Sequence, residues 1–502
     1  MRKIGLIVLL ALFVLSFGMT AAQGSNILIM ARAADTTGLD PHTQTAFASF
    51  RLLELIYEPL VNLDENLNVV PSLAETWEFG ADGLSLTLQL RQGVKFHNGA
   101  DFTAADVVAT FTRILDEATG AAARANYLSI ASIDTPDDFT VVFNLSQPDV
   151  PLLAALATTN AAIVDSADIE SSAVATVANG TGPFKLDSWT PEEVTMLSAN
   201  ADWWGEGPLL DGIEIRIIPD ETSILAALRA GTIDFALLND PLVATLLKDD
   251  PAVKLNAVPA IAYHVLQLRA AVEPLDKLEV RQAISCAVNR QEVLDVASLG
   301  EGKVTGPLTM AAFALPPEDL FCYQQDVEKA KQLMADAGLA DGFTLKMIVA
   351  NAEPPTALTE AQTIQAQLAA INITVEIESL ELSVYVDRWL AGDFESAIAL
   401  NGGRPDPYTM YARYWQSTGN LSNVAGYGDA TLDELMANGR AETDPAERFS
   451  IFSEFQTYLA EQAPWVWLYV GYEYTAQQSY VEGFIPTPTD SLIYLAQTSL
   501  NR

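Results

Sequence analysis

From Leu84 to Leu90 the chain alternates apolar and polar residues with period two (Leu-Ser-Leu-Thr-Leu-Gln-Leu), which predicts a half-buried strand. The period changes after Thr103. Val107, Val108, Phe111, Ile114 and Leu115 recur at helical spacing, and Thr103-Ala-Ala-Asp106 has the form of a capping box at that helix start. Further along, Phe343 to Val349 predicts a strand, Leu358 to Ile371 a helix and Ile373 to Ile377 a second strand. That order implies two parallel strands joined by a right-handed crossover. Asp326 is placed to cap a helix with Val327, Ala330, Leu333, Met334 and Ala337 on one face, and Gly338 to stop it. Pro445 opens another helix whose stripe of Phe449, Phe452, Phe455 and Leu459 reads as core. Strands and helices alternate along the whole chain with no internal repeat, so the expectation is an α/β protein of more than one lobe.

One apolar stretch stands apart from this rhythm. Met1-Arg2-Lys3 precedes an almost wholly apolar run from Ile4 to Phe17, and Thr20-Ala21-Ala22 follows with small residues. A basic start, an apolar run shorter than the roughly 20 residues of a membrane span and a small-residue cleavage site read as a secretory signal peptide over 1–22. The expectation is an exported protein, periplasmic or extracellular. No cysteine stands just after the signal to carry a lipid anchor.

Composition sharpens the picture. At 502 residues the chain exceeds one ordinary core. Its 27 basic residues against 65 acidic ones give a formal net charge of −38, a surface that repels nucleic-acid phosphates and anionic lipid. Cys286 and Cys322 are the two cysteines, and an exported pair leaves a disulfide or two buried thiols as open alternatives. The three histidines, His42, His97 and His264, are scattered and offer no zinc spacing. Neither a Gly-x-Ser-x-Gly elbow nor a phosphate loop is present. Nothing selects a catalytic group, a metal or a cofactor. An extracellular hydrolase using two of the many carboxylates is the rival reading from another class.

An ordered series of motifs then points to a family. It begins with Leu39-Asp-Pro-His42, Ile56-Tyr-Glu-Pro-Leu60, Pro71-Ser-Leu-Ala-Glu-Thr-Trp77 and Leu90-Arg-Gln-Gly-Val-Lys-Phe-His-Asn-Gly99. Gly180-Thr-Gly-Pro-Phe-Lys185 and Asn200-Ala-Asp-Trp-Trp-Gly205 follow as the most diagnostic pair. Ala227 to Asp234, Val280-Arg-Gln-Ala-Ile284 with Asn289-Arg290, Pro405-Asp-Pro407 and Thr443 to Arg448 complete it. In this order, over Leu39–Arg502, the chain resembles the family 5 extracellular solute-binding proteins, the dipeptide- and oligopeptide-binding components of ABC importers. The resemblance implies a two-lobed periplasmic-binding-protein-like fold with a hinge and an extra subdomain on the first lobe. Lobe I is then 23–65 with 182–260 and 478–502, the subdomain 66–181 and lobe II 261–477. It also implies a monomer that closes on a small solute, a peptide first of all, and docks on membrane permease subunits, without cofactor and without nucleic acid.

Most of the motifs read as makers of the fold. Gly180 and Gly182 suit a sharp turn, and Trp203 with Trp204 suit a domain joint more than a ligand stack. The site expectations rest on the segment Leu400-Asn-Gly-Gly-Arg-Pro-Asp-Pro-Tyr408. In peptide binders of the family a carboxylate near the Pro-Asp-Pro turn pairs with the peptide's α-amino group. Alignment on Pro407 puts that position at Gly403, and Leu400 where a tryptophan often stands. The usual ammonium anchor is therefore absent, which favours an N-blocked peptide or an oligosaccharide as the rival ligand. Arg404 offers a planar fork of donors to an anionic or hydroxyl-rich group. Asn401, Asp406 and Tyr408 share the segment, Phe47 and Phe50 follow the first strand, and Tyr263 and His264 lie near the crossover into lobe II. These nine residues, Gly403 included, are the expected ligand contacts. Tyr411, Tyr414 and Trp415 extend the aromatic cluster and default to core.

Overall fold

The protein is described here by a computed structural model covering residues 26–351 and 354–502, without the side chain of Ser383; the expected signal segment lies outside the described residues. Two large sheets organise it. The first has seven strands in the order Val253–Pro259, Tyr472–Gln478, Phe235–Leu238, Ile27–Arg32, Gly212–Ile217, Val194–Ala199 and Phe184–Thr190. The second has six, in the order Lys303–Val304, Trp465–Val470, Tyr263–Leu268, Ser396–Asn401, Phe343–Ala350 and Ile373–Leu380. A four-stranded antiparallel sheet, Ala74–Phe79, Ser85–Leu90, Thr140–Leu145 and Ile130–Asp137, packs with the helix Ala104–Leu115 around its own core of Phe96, Phe102, Phe111, Tyr127 and Phe143. The result is a two-lobed α/β protein carrying a subdomain.

The local rules act where the pattern places them. Asp106 reaches back to the Thr103 N–H at 2.9 Å and fixes the start of its helix. Asp326 accepts from the Lys329 N–H at 2.9 Å, and Gly338 ends that turn with φ +75°. Phe343–Ala350 and Ile373–Leu380 pair in parallel around the helix Ala357–Leu368, as the crossover pattern demands. In the helix Pro445–Gln462 the residues Phe452, Phe455 and Leu459 are buried, whereas Phe449 is exposed. Cys286 and Cys322 are bonded, tying the helix Leu278–Ala287 to the loop before the helix Val327–Asp336.

Gly180 and Gly182 lie at the expected bend, which runs over 181–183 into the strand Phe184–Thr190, and they answer a second demand as well. Both have ordinary φ, but a Cβ on Gly180 would overlap the Ile56 carbonyl, and one on Gly182 would stand 2.7 Å from the same oxygen. They are glycines because two backbones touch. One expected boundary also moves. The second sheet's strand ends at Val470, and Tyr472–Gln478 pairs wholly within the first sheet, so the chain returns to lobe I at Gly471 and not at 478.

Candidate ligand-binding cleft

The chain crosses between the large sheets through residues 260–262 and through Gly471, and the Ala260 N–H donates to the Gly471 carbonyl at 2.9 Å. Crossings this short force the two connected sheet edges to face each other. On lobe II that edge holds the C-terminal ends of three parallel strands, at Ala350, Leu380 and Asn401. On lobe I it holds the ends of three more, at Arg32, Ile217 and Leu238. In open α/β sheets the crevice outside the carboxyl ends of the strands is where ligands bind. The cleft follows from topology.

On the lobe II side, Ser396–Asn401 ends in the loop 402–406 that leads into the helix Pro407–Trp415. Asp406 caps this helix, accepting from Tyr408 N at 2.9 Å and Thr409 N at 3.3 Å, while its second oxygen pairs with Arg448 at 2.7 Å. Gly403 is pressed against the crossing segment, and a Cβ there would overlap the Ile261 carbonyl. Arg404 between them is exposed and donates to the Gly403 carbonyl at 3.2 Å. Partial desolvation of its guanidinium and the charge of Arg413 lower its pKa. Arg413 lies across the loop, donating to the Gly402 carbonyl at 2.6 Å with its guanidinium 4.8 Å from the Tyr414 ring. Neither arginine has a carboxylate partner among the described residues.

On the lobe I side, Phe47 opens the helix Phe47–Leu53 and is 67% exposed, edge-on to half-buried Phe50 at 6.3 Å. Arg32 is buried at its strand end, 3.2 Å from Asp35, which also accepts from Trp189 Nε1 and Glu192 N at 2.9 Å each. Arg51 pairs with Asp490 at 2.6 Å. Burial pushes the Asp490 carboxyl up to about 7, and it also raises Glu473 on the strand that returns from the hinge.

Four expected contacts are structural instead. Tyr263 is fully buried, with its hydroxyl 3.4 Å from Asn401 Nδ2, so the two satisfy each other inside the lobe. His264 is buried flat against Tyr469, ring centroids 4.2 Å apart, with Nδ1 2.9 Å from Glu360 Oε1. Burial raises the Glu360 carboxyl, but His264, Thr356 and Tyr469 outweigh that and hold it below the ordinary value. Asp406 is the fourth, its oxygens taken by cap and ion pair. Tyr408 is half-buried under the Arg440 guanidinium at 5.2 Å, and its hydroxyl donates to Gln416 at 3.1 Å. Tyr411, Tyr414 and Trp415 are core. Of the expected contacts, Phe47, Phe50, Gly403 and Arg404 are not taken up by bonds of this kind: Phe47 and Arg404 are exposed, Phe50 is half-buried and Gly403 lies against Ile261. Arg413 was missed because its signal, an arginine six residues into a helix, is no different from that of a surface cation.

Trp203 and Trp204 lie away from this edge. Both indole N–H groups donate to Glu58, at 3.0 and 2.8 Å, and Thr181 adds a third bond at 2.8 Å. They join lobe I to the subdomain beside a cavity of about 150 Å³. Among the described residues no helix is long and apolar enough to cross a membrane, and no group of three or more His, Cys, Asp or Glu is arranged to hold a metal ion.

Two lobes with facing carboxyl ends, a two-segment hinge and a cleft lined by charged and aromatic side chains define a binding protein that takes a solute between its lobes. Residues 68–422 match the bacterial extracellular solute-binding proteins, family 5, and the chain belongs to that family. It is 27% identical over 491 residues to the glutathione-binding protein GsiB of Escherichia coli K12, covering 93% of each chain. Among solved structures it superposes on the periplasmic binding protein DppA of Helicobacter pylori in complex with peptide STSA, with TM-score 0.75, 27% identity and coverage of 95% and 98%. It also superposes on the binding protein AgaA of A. tumefaciens R10 in complex with agropinic acid, with TM-score 0.75, 28% identity and coverage of 95% and 99%. The chain is thus a solute-binding protein of an ABC importer.

Proposed function

We propose that this protein captures a small, carboxylate-bearing solute of peptide-like size and hands it to its permease without chemical change. The observation that carries the reading is the pair of guanidiniums at the cleft loop. In a chain with 65 acidic side chains and 27 basic ones, Arg404 and Arg413 stand together without a carboxylate partner among the described residues. A guanidinium fork held in a concave wall matches a carboxylate with two parallel bonds. Gly403 supports the second half of the reading: the backbone contact with Ile261 leaves no room for an acid that would grip an ammonium there. The solute is therefore held by its acidic end. Peptides and organic acids offer such an end, in keeping with the peptide, glutathione and agropinic acid named for the relatives.

Binding then proceeds by capture on one lobe, closure when the second lobe completes the contacts, docking and release. The protein acts exported and as a monomer, and makes and breaks no bond. A thermal-shift panel on the ligand-stripped protein tests the reading with free dipeptides, N-acetylated dipeptides, glutathione, C-terminally amidated dipeptides and neutral oligosaccharides. A solute at a hundred times its dissociation constant stabilises by about 2.7 kcal/mol. Acidic members, N-acetylated ones included, raise the midpoint, and amidated dipeptides do not. Equal shifts by amidated peptides or neutral sugars would reject the carboxylate grip.

A further inference from the structure

Lobe I and the subdomain form one body, because Thr181 at the subdomain's end donates to Glu58 of lobe I, and Trp204, held by the same Glu58, packs against the subdomain core beneath Arg91. Lobe II is tied to that body by the two short crossings and by Glu301, which accepts from Tyr474 Oη at 2.9 Å and from Lys248. Leu67 of the subdomain packs into the apolar core of lobe II, and a further polar tie beside neither crossing joins the same two bodies. Asp149, at the start of the subdomain helix Pro151–Ala155, receives Arg440 of the lobe II helix Ala430–Ala441 through two bonds, Nε to Oδ1 and Nη2 to Oδ2, each 3.0 Å. The Val150 N–H adds a bond to the Arg440 carbonyl at 3.0 Å. Asp149 is buried in this contact. No comparable tie spans the cleft: Phe47 and Leu400 are exposed, and among the described residues no hydrogen bond or ion pair joins residues 32–47 or 218–239 to residues 400–405.

We infer that the Asp149–Arg440 pair is a strut that holds the ligand-free protein open and that closure must break. Lobe II cannot turn about its crossings toward lobe I without sliding past the subdomain, and a two-bond ion pair with a backbone bond beside it tolerates little sliding. The strut is also wired to the solute loop. The Arg440 guanidinium rests on Tyr408, the second residue of the helix that Asp406 caps, four positions from Arg404. A solute that pulls on Arg404 shifts the helix start on which Arg440 leans, so binding itself loosens the strut. Such a device keeps the empty protein from closing without cargo, at some expense in affinity.

The test needs no solute and stands whether or not the carboxylate reading holds. Small-angle X-ray scattering is recorded on the ligand-stripped wild type, D149N and R440Q, with circular dichroism to verify folding and R440K as the milder partner if R440Q fails to fold. The strut predicts a smaller radius of gyration and loss of the longest interatomic distances in the variants. A radius of gyration unchanged in D149N, or larger, overturns the inference: the first makes the pair a passive contact, the second a clasp for the closed state.

Discussion

The carboxylate of Asp406 has no oxygen to spare for a solute, since one caps the helix Pro407–Trp415 and the other neutralises buried Arg448. Replacing Asp406 by alanine removes a cap and leaves a buried cation unpaired, an expected loss of roughly 3–5 kcal/mol in urea unfolding. Solute affinity at a pH where the variant is folded should change little. Gly403 makes the opposite point. Putting back an acid with G403D should destabilise the protein and create no preference for free over N-acetylated dipeptides, because the new Cβ collides with Ile261 before its carboxylate reaches the cleft. The sequence carried the oddity of Gly403 and Arg404 in plain view, since both depart from an aligned motif. It could not separate cleft from core for Tyr263, His264 and Asn401. Those residues alternate along strands that are buried on both faces, so period two says nothing about which side, if either, meets solvent.

At the scale of elements, the strand and helix periods around 84–115 and 343–377 were legible because each element buries one face against a core of its own. Gly180 and Gly182 were legible as turn glycines but not as contact glycines: close backbone approach leaves no local trace in the sequence, whereas a turn does. The joints hold buried acids, with a consequence for pH. Burial pushes Glu54, Glu58 and Asp490 each up to about 7, against ordinary values near 4. A carboxyl raised in the folded state stabilises it fully below the unfolded value, and that contribution is lost as pH rises through the folded one. Urea midpoints should therefore fall between about pH 4 and pH 7. The decline should be shallower in E58Q, which keeps two of the three groups, and an identical slope would remove Glu58 from the account. The Cys286–Cys322 bond closes a sequence separation of 36 within lobe II. Its reduction should cost about 3–4 kcal/mol by unfolded-chain entropy, read as a lower midpoint under reductant, while C286A/C322A should be insensitive to reductant.

At the scale of the whole molecule, the two-lobed plan was legible from the ordered motifs, and topology converts it into a cleft whose walls are strand ends. What the linear pattern lacked was the pairing across lobes: Asp149 with Arg440 and Glu301 with Lys248 are joined over sequence separations of 291 and 53, which no local period encodes. The central claim is that this cleft holds its solute by a carboxylate on Arg404 and Arg413. The most direct measurement is isothermal titration of the stripped wild type, R404A and R413A with the strongest acidic binder of the thermal-shift panel, glutathione being the first probe. A carboxylate grip gives stoichiometric binding to the wild type, a loss of tenfold or more in each variant, and melting temperatures without solute near the wild-type value. Wild-type affinity in both variants would contradict it and move the anchoring of the solute to the opposite wall.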